Sequence, residues 1–131
     1  MRCYLTTCCA EKREDEGLLP AKERYQSERV KHVVSESERS NVPLLFLSGK
    51  YGVLDASDLI PWYDKALSEE DINDLIPVVV AQLSDRDVTE ITLFAMPRNT
   101  SGWGPYYAVI EKACEELNID IEYETVYENY K

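Results

Sequence analysis

The chain has 131 residues, 44% of them hydrophobic, and a formal charge of −11 from 25 acidic and 14 basic residues. That length suits one domain, residues 1–131, with a real core, and no apolar run approaches the roughly 20 residues that cross a bilayer. The acidity disfavours a broad DNA-binding face, because it repels the phosphate backbone, yet a local basic cleft could still accept one nucleotide or a flipped base.

Arg2 to Thr7 is short and β-prone and reads as a first strand. Its apolar part is too short for a signal peptide, so a cytoplasmic chain is expected. A helix is predicted from Pro20 to about Arg39, with Pro20 at the first helical position and Ala21, Tyr25, Val30, Val33 and Val34 on its apolar side. Val42 to Leu47 is nearly all apolar, as a strand buried on both faces should be. Ser68 and Asp71 have capping-box spacing, and Ile72, Leu75, Ile76, Val79, Val80 and Leu83 follow at helical spacing. Pro77 lies inside that run and is expected to kink or split the helix. Thr89 to Met96 is a third strand. Pro105 then opens a helix that carries Tyr106, Val109, Ile110, Ala113 and Leu117 and stops at Asn118. Ile119 to Thr125 alternates apolar and acidic residues like an edge strand.

Strands that alternate with helices imply an α/β fold, a three-layer α/β/α sandwich around a four-stranded parallel sheet. Its strand ends would gather three loops on one edge: Cys8 to Leu19, Ser48 to Leu67, and Pro97 to Gly104. Ligands bind at that edge in open α/β sheets.

The second loop is the most informative. Leu44-Leu45-Phe46-Leu47 stops at Ser48-Gly49-Lys50-Tyr51-Gly52, a glycine-flanked turn that presents a hydroxyl, an ammonium and a phenol. Gly49 and Gly52 let the backbone approach a ligand or take positive φ, and Lys50 suits a phosphate or a base carbonyl. The alternative for Lys50 is a salt bridge to Asp55 or Asp64. In the first loop, Cys8, Cys9 and Lys12 offer a thiol near a cation; Cys8 is either a nucleophile or ligand contact, or a small residue in a tight turn. Asp64 could activate water for cleavage of an N-glycosidic bond, or cap a turn. Its neighbours Trp62 and Tyr63 either stack a base or cover the end of the sheet. Arg98, in the third loop, could hold a phosphate or carboxylate. None of the four cysteines forms a Cys-x2-Cys pair and the sole histidine is His32, so neither a metal nor a cofactor is expected.

Three motifs carry a family resemblance: Cys8-Cys9-x-x-Lys12, Pro20-Ala21-x-x-x-Tyr25-x-Ser27, and Leu47-Ser48-Gly49-Lys50-Tyr51-Gly52-Val53-Leu54. The chain resembles a group of small domains with these motifs, and the last motif is similar to one of the peroxide-stress protein family YaaA. In this chain Pro61-Trp62-Tyr63 stands where the group has Pro-Tyr, and Cys9 replaces a serine. The resemblance implies a uracil-DNA-glycosylase-like fold with strand order 2-1-3-4. Independently of the resemblance, a crossover is expected to bring Cys8, Lys12, Tyr25, Ser27, Ser48, Lys50 and Tyr51 to one pocket, with Cys9, Gly49, Gly52 and Arg98 as further ligand-binding candidates and Asp64 and Cys8 as catalytic ones. The expected function is to bind or process a nucleotide, nucleoside or nucleic-acid base. The alternatives are a non-catalytic nucleotide- or nucleic-acid-binding module of a stress or defence response, single-stranded nucleic acid included, and an interaction domain with a vestigial pocket.

Overall fold

β1, Arg2–Thr7, is buried along five of its six residues, with Cys3 and Leu5 in one apolar cluster and Tyr4 in another. Burial on both faces is the mark of a strand inside a parallel sheet. The structure, a computed structural model, describes residues 1–10 and 12–127. After β1 come β2 (Leu19–Pro20), α1 (Ala21–Arg24), α2 (Glu28–Ser40), β3 (Leu44–Ser48), β4 (Gly52–Asp55) and β5 (Leu59–Ile60). A 3₁₀ turn at Glu69–Asp71 leads into α3 (Ile72–Asp85), and β6 (Glu90–Ala95), α4 (Gly104–Leu117) and β7 (Asp120–Thr125) complete the order. No helix among the described residues is long and apolar enough to cross a membrane.

The main sheet has five strands in the order β4-β3-β1-β6-β7. β3, β1, β6 and β7 run parallel, and β4 pairs antiparallel with β3. Val30 and Val33 of α2 pack with Tyr4, Phe46 and Phe94 on one face. Leu75, Val79 and Leu83 of α3, with Val109, Ile110 and Ala113 of α4, pack with Leu5, Leu45 and Leu93 on the other. Each Val, Leu, Ile or Phe among them contributes about 1.5–3 kcal/mol when taken from water. A second, two-stranded sheet pairs β2 with β5 antiparallel.

The expected sheet of four parallel strands is therefore corrected to a five-stranded mixed sheet. The four parallel strands keep the second-first-third-fourth arrangement, but Gly52–Asp55, taken above as loop, returns as an antiparallel edge strand. The reason is local. Gly52 has φ 74°, and a Cβ there would fall 2.3 Å from Gln82 Oε1. The Gln82 amide accepts from Val53 N–H (2.6 Å) and donates to the Tyr51 carbonyl (3.0 Å), so one side chain of α3 holds both sides of the turn.

The single helix expected from Pro20 to Arg39 is also corrected. Tyr25 is extended (φ −84°, ψ 129°) and forms an isolated antiparallel bridge with Lys12. Ser27 then starts α2 afresh, its hydroxyl accepting from Val30 N–H at 3.2 Å. A serine that can cap a helix competes with one that continues it. Conversely, Pro77 does not split α3. Its missing N–H deprives only the Asn73 carbonyl, while Leu75, Val79 and Leu83 keep their buried face. The capping box is present: Ser68 Oγ and N–H both donate to the Asp71 carboxylate, at 2.9 and 3.5 Å. Asn118 ends α4 in the left-handed conformation at φ 54°.

Arg24 is fully buried. Its guanidinium donates to the carbonyls of Arg13 (2.6 Å), Asp15 (3.0 Å), Gly17 (2.8 Å) and Ile60 (3.1 Å). It thereby ties the loop after β1 to the β2–β5 ribbon. Removing a donor from buried acceptors costs about 1–3 kcal/mol for each group left bare. Arg24→Met is therefore expected to lower stability by about 3 kcal/mol, read as a lower urea midpoint at unchanged slope. Arg24→Lys should recover less than half of the loss, because an ammonium cannot reproduce the fork. A wild-type midpoint in Arg24→Met would refute this role.

Candidate functional site

β1, β3 and β6 end on one edge of the sheet, and the turn after β3 sets the geometry there. Ser48 is buried, and its Oγ accepts from the backbone N–H groups of Lys50 and Tyr51, each at 3.1 Å. A hydroxyl has one proton and two acceptor sites. Both acceptor sites are used, so the proton goes to Tyr63 Oη at 2.8 Å. Tyr63 in turn donates to Tyr25 Oη at 2.5 Å. The local fold thus orders a line of hydroxyls from Ser48 through Tyr63 to Tyr25. Burial, above all, pushes the Tyr25 and Tyr63 phenols upward, and both are neutral at ordinary pH.

Two cations gather on this network. Lys12 Nζ lies 4.8 Å from the centre of the Tyr63 ring and 5.9 Å from that of Tyr25. Lys50 Nζ lies 5.3 Å from the Tyr51 ring and 5.9 Å from that of Tyr63. Among the described residues neither lysine forms an ion pair with a carboxylate. Asp55 is held by Arg86 instead (3.2 Å). In front of Tyr63 opens a cavity of about 440 Å³, bordered by Gly49, Lys50, Asp64, Lys65, Asp74 and Leu75. Gly49 is required by a close approach, since a Cβ there would stand 2.8 Å from Leu67 N. Asp71, also on the rim, is occupied by Lys65 at 2.9 Å.

Tyr106, near the start of α4, divides the rest of the edge. Its hydroxyl accepts from Leu67 N–H at 3.1 Å and lies 3.4 Å from Cys8 Sγ. Burial chiefly raises its pKa, so Cys8 has a neutral phenol beside it and not a base. On one side of Tyr106 a small space of about 90 Å³ is bordered by Cys9, Lys12, Asp64 and Lys65. On the other, a cavity of about 260 Å³ is bordered by Cys9, Ser27, Arg29, Ser101 and Trp103. Arg29 is buried, donates to Thr6 Oγ1 (2.6 Å), Thr7 O (2.9 Å) and Cys8 O (3.3 Å), and lies 4.9 Å from the Trp103 ring. Among the described residues no group of three or more His, Cys, Asp or Glu side chains is arranged to hold a metal ion.

The residues expected in one pocket thus meet at one edge but occupy different places. Lys50, Gly49 and Asp64 face the cavity of about 440 Å³; Cys8, Cys9 and Lys12 border the small space; Cys8, Cys9 and Ser27 border the third. Tyr25 and Ser48 stand behind Tyr63, and Tyr51 packs edge-on against it at 5.2 Å. Two candidates do not join them. Gly52 faces Gln82. Arg98 forms a forked pair with Glu111 (2.6 Å to each oxygen) and stacks on Tyr107 at 4.4 Å, so its fork is already used. Trp62 is 48% exposed whereas Tyr63 is buried, so the two neighbours have separate roles. Sequence reasoning missed Arg29, Lys65, Trp103 and Tyr106. A signal existed for the last, since Pro105-Tyr106 opens a helix at the sheet edge. Arg29 reads as a solvated helix residue.

Residues 3–101 match DUF6884, a family of unknown function, and the chain belongs to that family. The matched stretch includes Cys8, Lys12, Tyr25, Ser48, Lys50, Tyr63 and Asp64. No curated protein and no solved structure matches the chain.

The buried phenols give a pH test with a definite sign. Tyr25 and Tyr63 are raised above the ordinary value of 10.0. A group that holds its proton more tightly when folded contributes stability below the unfolded pKa and loses it as pH climbs through the folded one. Stability is therefore expected to fall above about pH 10, with these phenolate signals appearing only as the chain unfolds. Tyr63→Phe, which leaves the Ser48 and Tyr25 hydroxyls without their shared partner, should cost about 1–3 kcal/mol at neutral pH. Reversible ionisation of every tyrosine near pH 10 in the folded chain would contradict it.

Proposed function

We propose that the protein binds a nucleotide, nucleoside or nucleic-acid base at the C-terminal edge of its parallel strands. The observation that carries this reading is the pair Lys12 and Lys50, both laid against aromatic rings at Tyr63 and neither in an ion pair among the described residues. In a chain of charge −11, carboxylates abound to neutralise surface lysines. Two cations kept from them at a strand edge are suited to an incoming anion, and an ammonium is a point charge that accepts phosphate from many directions. The cavity beside them, about 440 Å³, falls within the range of ligand pockets, about 300–1,000 Å³. The resemblance to the YaaA family and to uracil-DNA-glycosylase-like folds supports the same class of ligand and a stress or defence context.

Processing of the ligand is the stronger form of this proposal. Asp64 borders both the main cavity and the small space beside Lys12, where a carboxylate can accept from a base N–H or activate water at an N-glycosidic bond. Cys8 is less suited to attack, because its neighbour is the neutral Tyr106 phenol. The non-catalytic reading is favoured by the hydroxyls of Ser48 and Tyr63, which are engaged with one another and with their neighbours and offer no free group for a reaction.

A thermal-shift screen against nucleosides, nucleotides and short single-stranded DNA tests binding. A ligand at 100 times its Kd stabilises by about 2.7 kcal/mol. Lys50→Met is expected to leave the ligand-free melting temperature unchanged and to abolish the shift. A loss of ligand-free stability with the shift intact would make Lys50 a structural residue. Base release detected by chromatography, and absent in Asp64→Asn, would establish processing; binding without release would establish the non-catalytic module.

A further inference from the structure

The spaces along the strand edge are consecutive. The main cavity and the small space share Asp64 and Lys65, and the small space and the third cavity share Cys8, Cys9 and Tyr106. Their sizes and linings differ in a meaningful order. The first, about 440 Å³, offers the Tyr63 ring and the Lys50 ammonium. The second, about 90 Å³, is too small for a base; Lys12 borders it, opposed by Asp64, while Lys65 on the same border is paired with Asp71. The third, about 260 Å³, has the aromatic walls Trp103 and Tyr106 and the hydroxyls of Ser27 and Ser101. Ser27 Oγ accepts from Val30 N–H, and among the described residues its own proton is donated to none.

We infer that the site takes two nucleoside units joined through phosphate, not one. The first unit occupies the cavity at Tyr63, the linking phosphate lies beside Lys12, and the second base enters the Trp103–Tyr106 cavity. Flat aromatic walls accept any base by stacking, and a cation at the narrow middle is where the linker places its charge. Tyr106 is the partition that keeps the two bases apart. This rests on the nucleotide reading above and goes beyond it by naming the length of the ligand.

The test compares a mononucleotide, a dinucleoside monophosphate and a short single-stranded oligonucleotide. Trp62→Phe leaves Trp103 as the sole tryptophan, so its fluorescence reports on the third cavity alone. The dinucleoside monophosphate is expected to bind about tenfold tighter or more than the mononucleotide, the gain one stacked base supplies, and to quench Trp103. Ser101 is exposed at the rim, so Ser101→Phe can fill the cavity without disturbing the core. It should reduce dinucleotide affinity to that of the mononucleotide and leave the mononucleotide's own affinity unchanged. Further gain with the oligonucleotide would identify a segment of a strand as the source; equal affinity would identify a free dinucleotide. Equal binding of mononucleotide and dinucleotide, with Trp103 unquenched, overturns the inference while the nucleotide reading stands. Binding of neither overturns both.

Discussion

Arg24 meets no solvent, and its guanidinium is spent on four backbone carbonyls from two stretches of chain. Loop carbonyls that face inward need donors, because a buried polar group without a partner is costly. One fork of N–H groups meets that need for the loop after β1 and for β5 together. The backbone adds to it: Arg13 N–H donates to the Arg24 carbonyl at 2.8 Å, and Lys12 bridges to Tyr25 beside it. The consequence reaches the site. Lys12 leaves the loop at a fixed point, and β5 delivers the segment that carries Tyr63 and Asp64 a few residues later. Both sides of the cavity edge are therefore referred to one buried cation.

Charge is distributed unevenly over this frame. Arg13, Arg39, Lys65, Arg86, Arg98 and Lys112 each pair with a nearby carboxylate, and Arg24 and Arg29 are buried against carbonyls. Exposed ion pairs of this kind contribute little stability, about 0–1 kcal/mol each. Their effect on the field matters more, since each removes a cation from the surface available to an anion. Lys12 and Lys50 are held by ring faces, which attract a cation without cancelling its charge. In a field that repels anions at long range, two ring-held cations at one edge favour a small anion over a long duplex.

The sequence made the regular parts readable and the exceptions hard to see. β1 has the expected bounds, and β7 and α4 lie within a residue of them, because alternation, helical spacing and the stop at Asn118 all agree there. Ser48, Lys50 and the turn between them were legible from an apolar run broken by glycines. Tyr25 was placed in a helix because its spacing fits one; the bridge to Lys12, thirteen residues earlier, depends on a tertiary contact that no local pattern records. β4 was hidden for a similar reason, since its antiparallel register is fixed by Gln82 on a distant helix. Arg98 misled in the opposite direction. A loop arginine reads as an anion binder until its partner Glu111, on α4, is seen.

The line of hydroxyls decides which groups face a ligand. Ser48 cannot accept from outside, because the turn's own N–H groups fill its oxygen. Its proton is committed to Tyr63, and that of Tyr63 to Tyr25. A phenol placed so can neither lose its proton readily nor offer it elsewhere without breaking the line, and burial raises its pKa further. Tyr63 therefore contributes a ring face and a rigid wall. The chemistry left to the cavity edge is that of Lys12, Lys50, Asp64 and Asp74, with Lys65 paired to Asp71, on a backbone whose Gly49 permits no side chain. Cations set on aromatic faces with carboxylates beside them form a recognition surface first. Any reaction there falls to the bordering carboxylates, and first to Asp64, which also reaches the space beside Lys12, because the hydroxyls behind are already engaged.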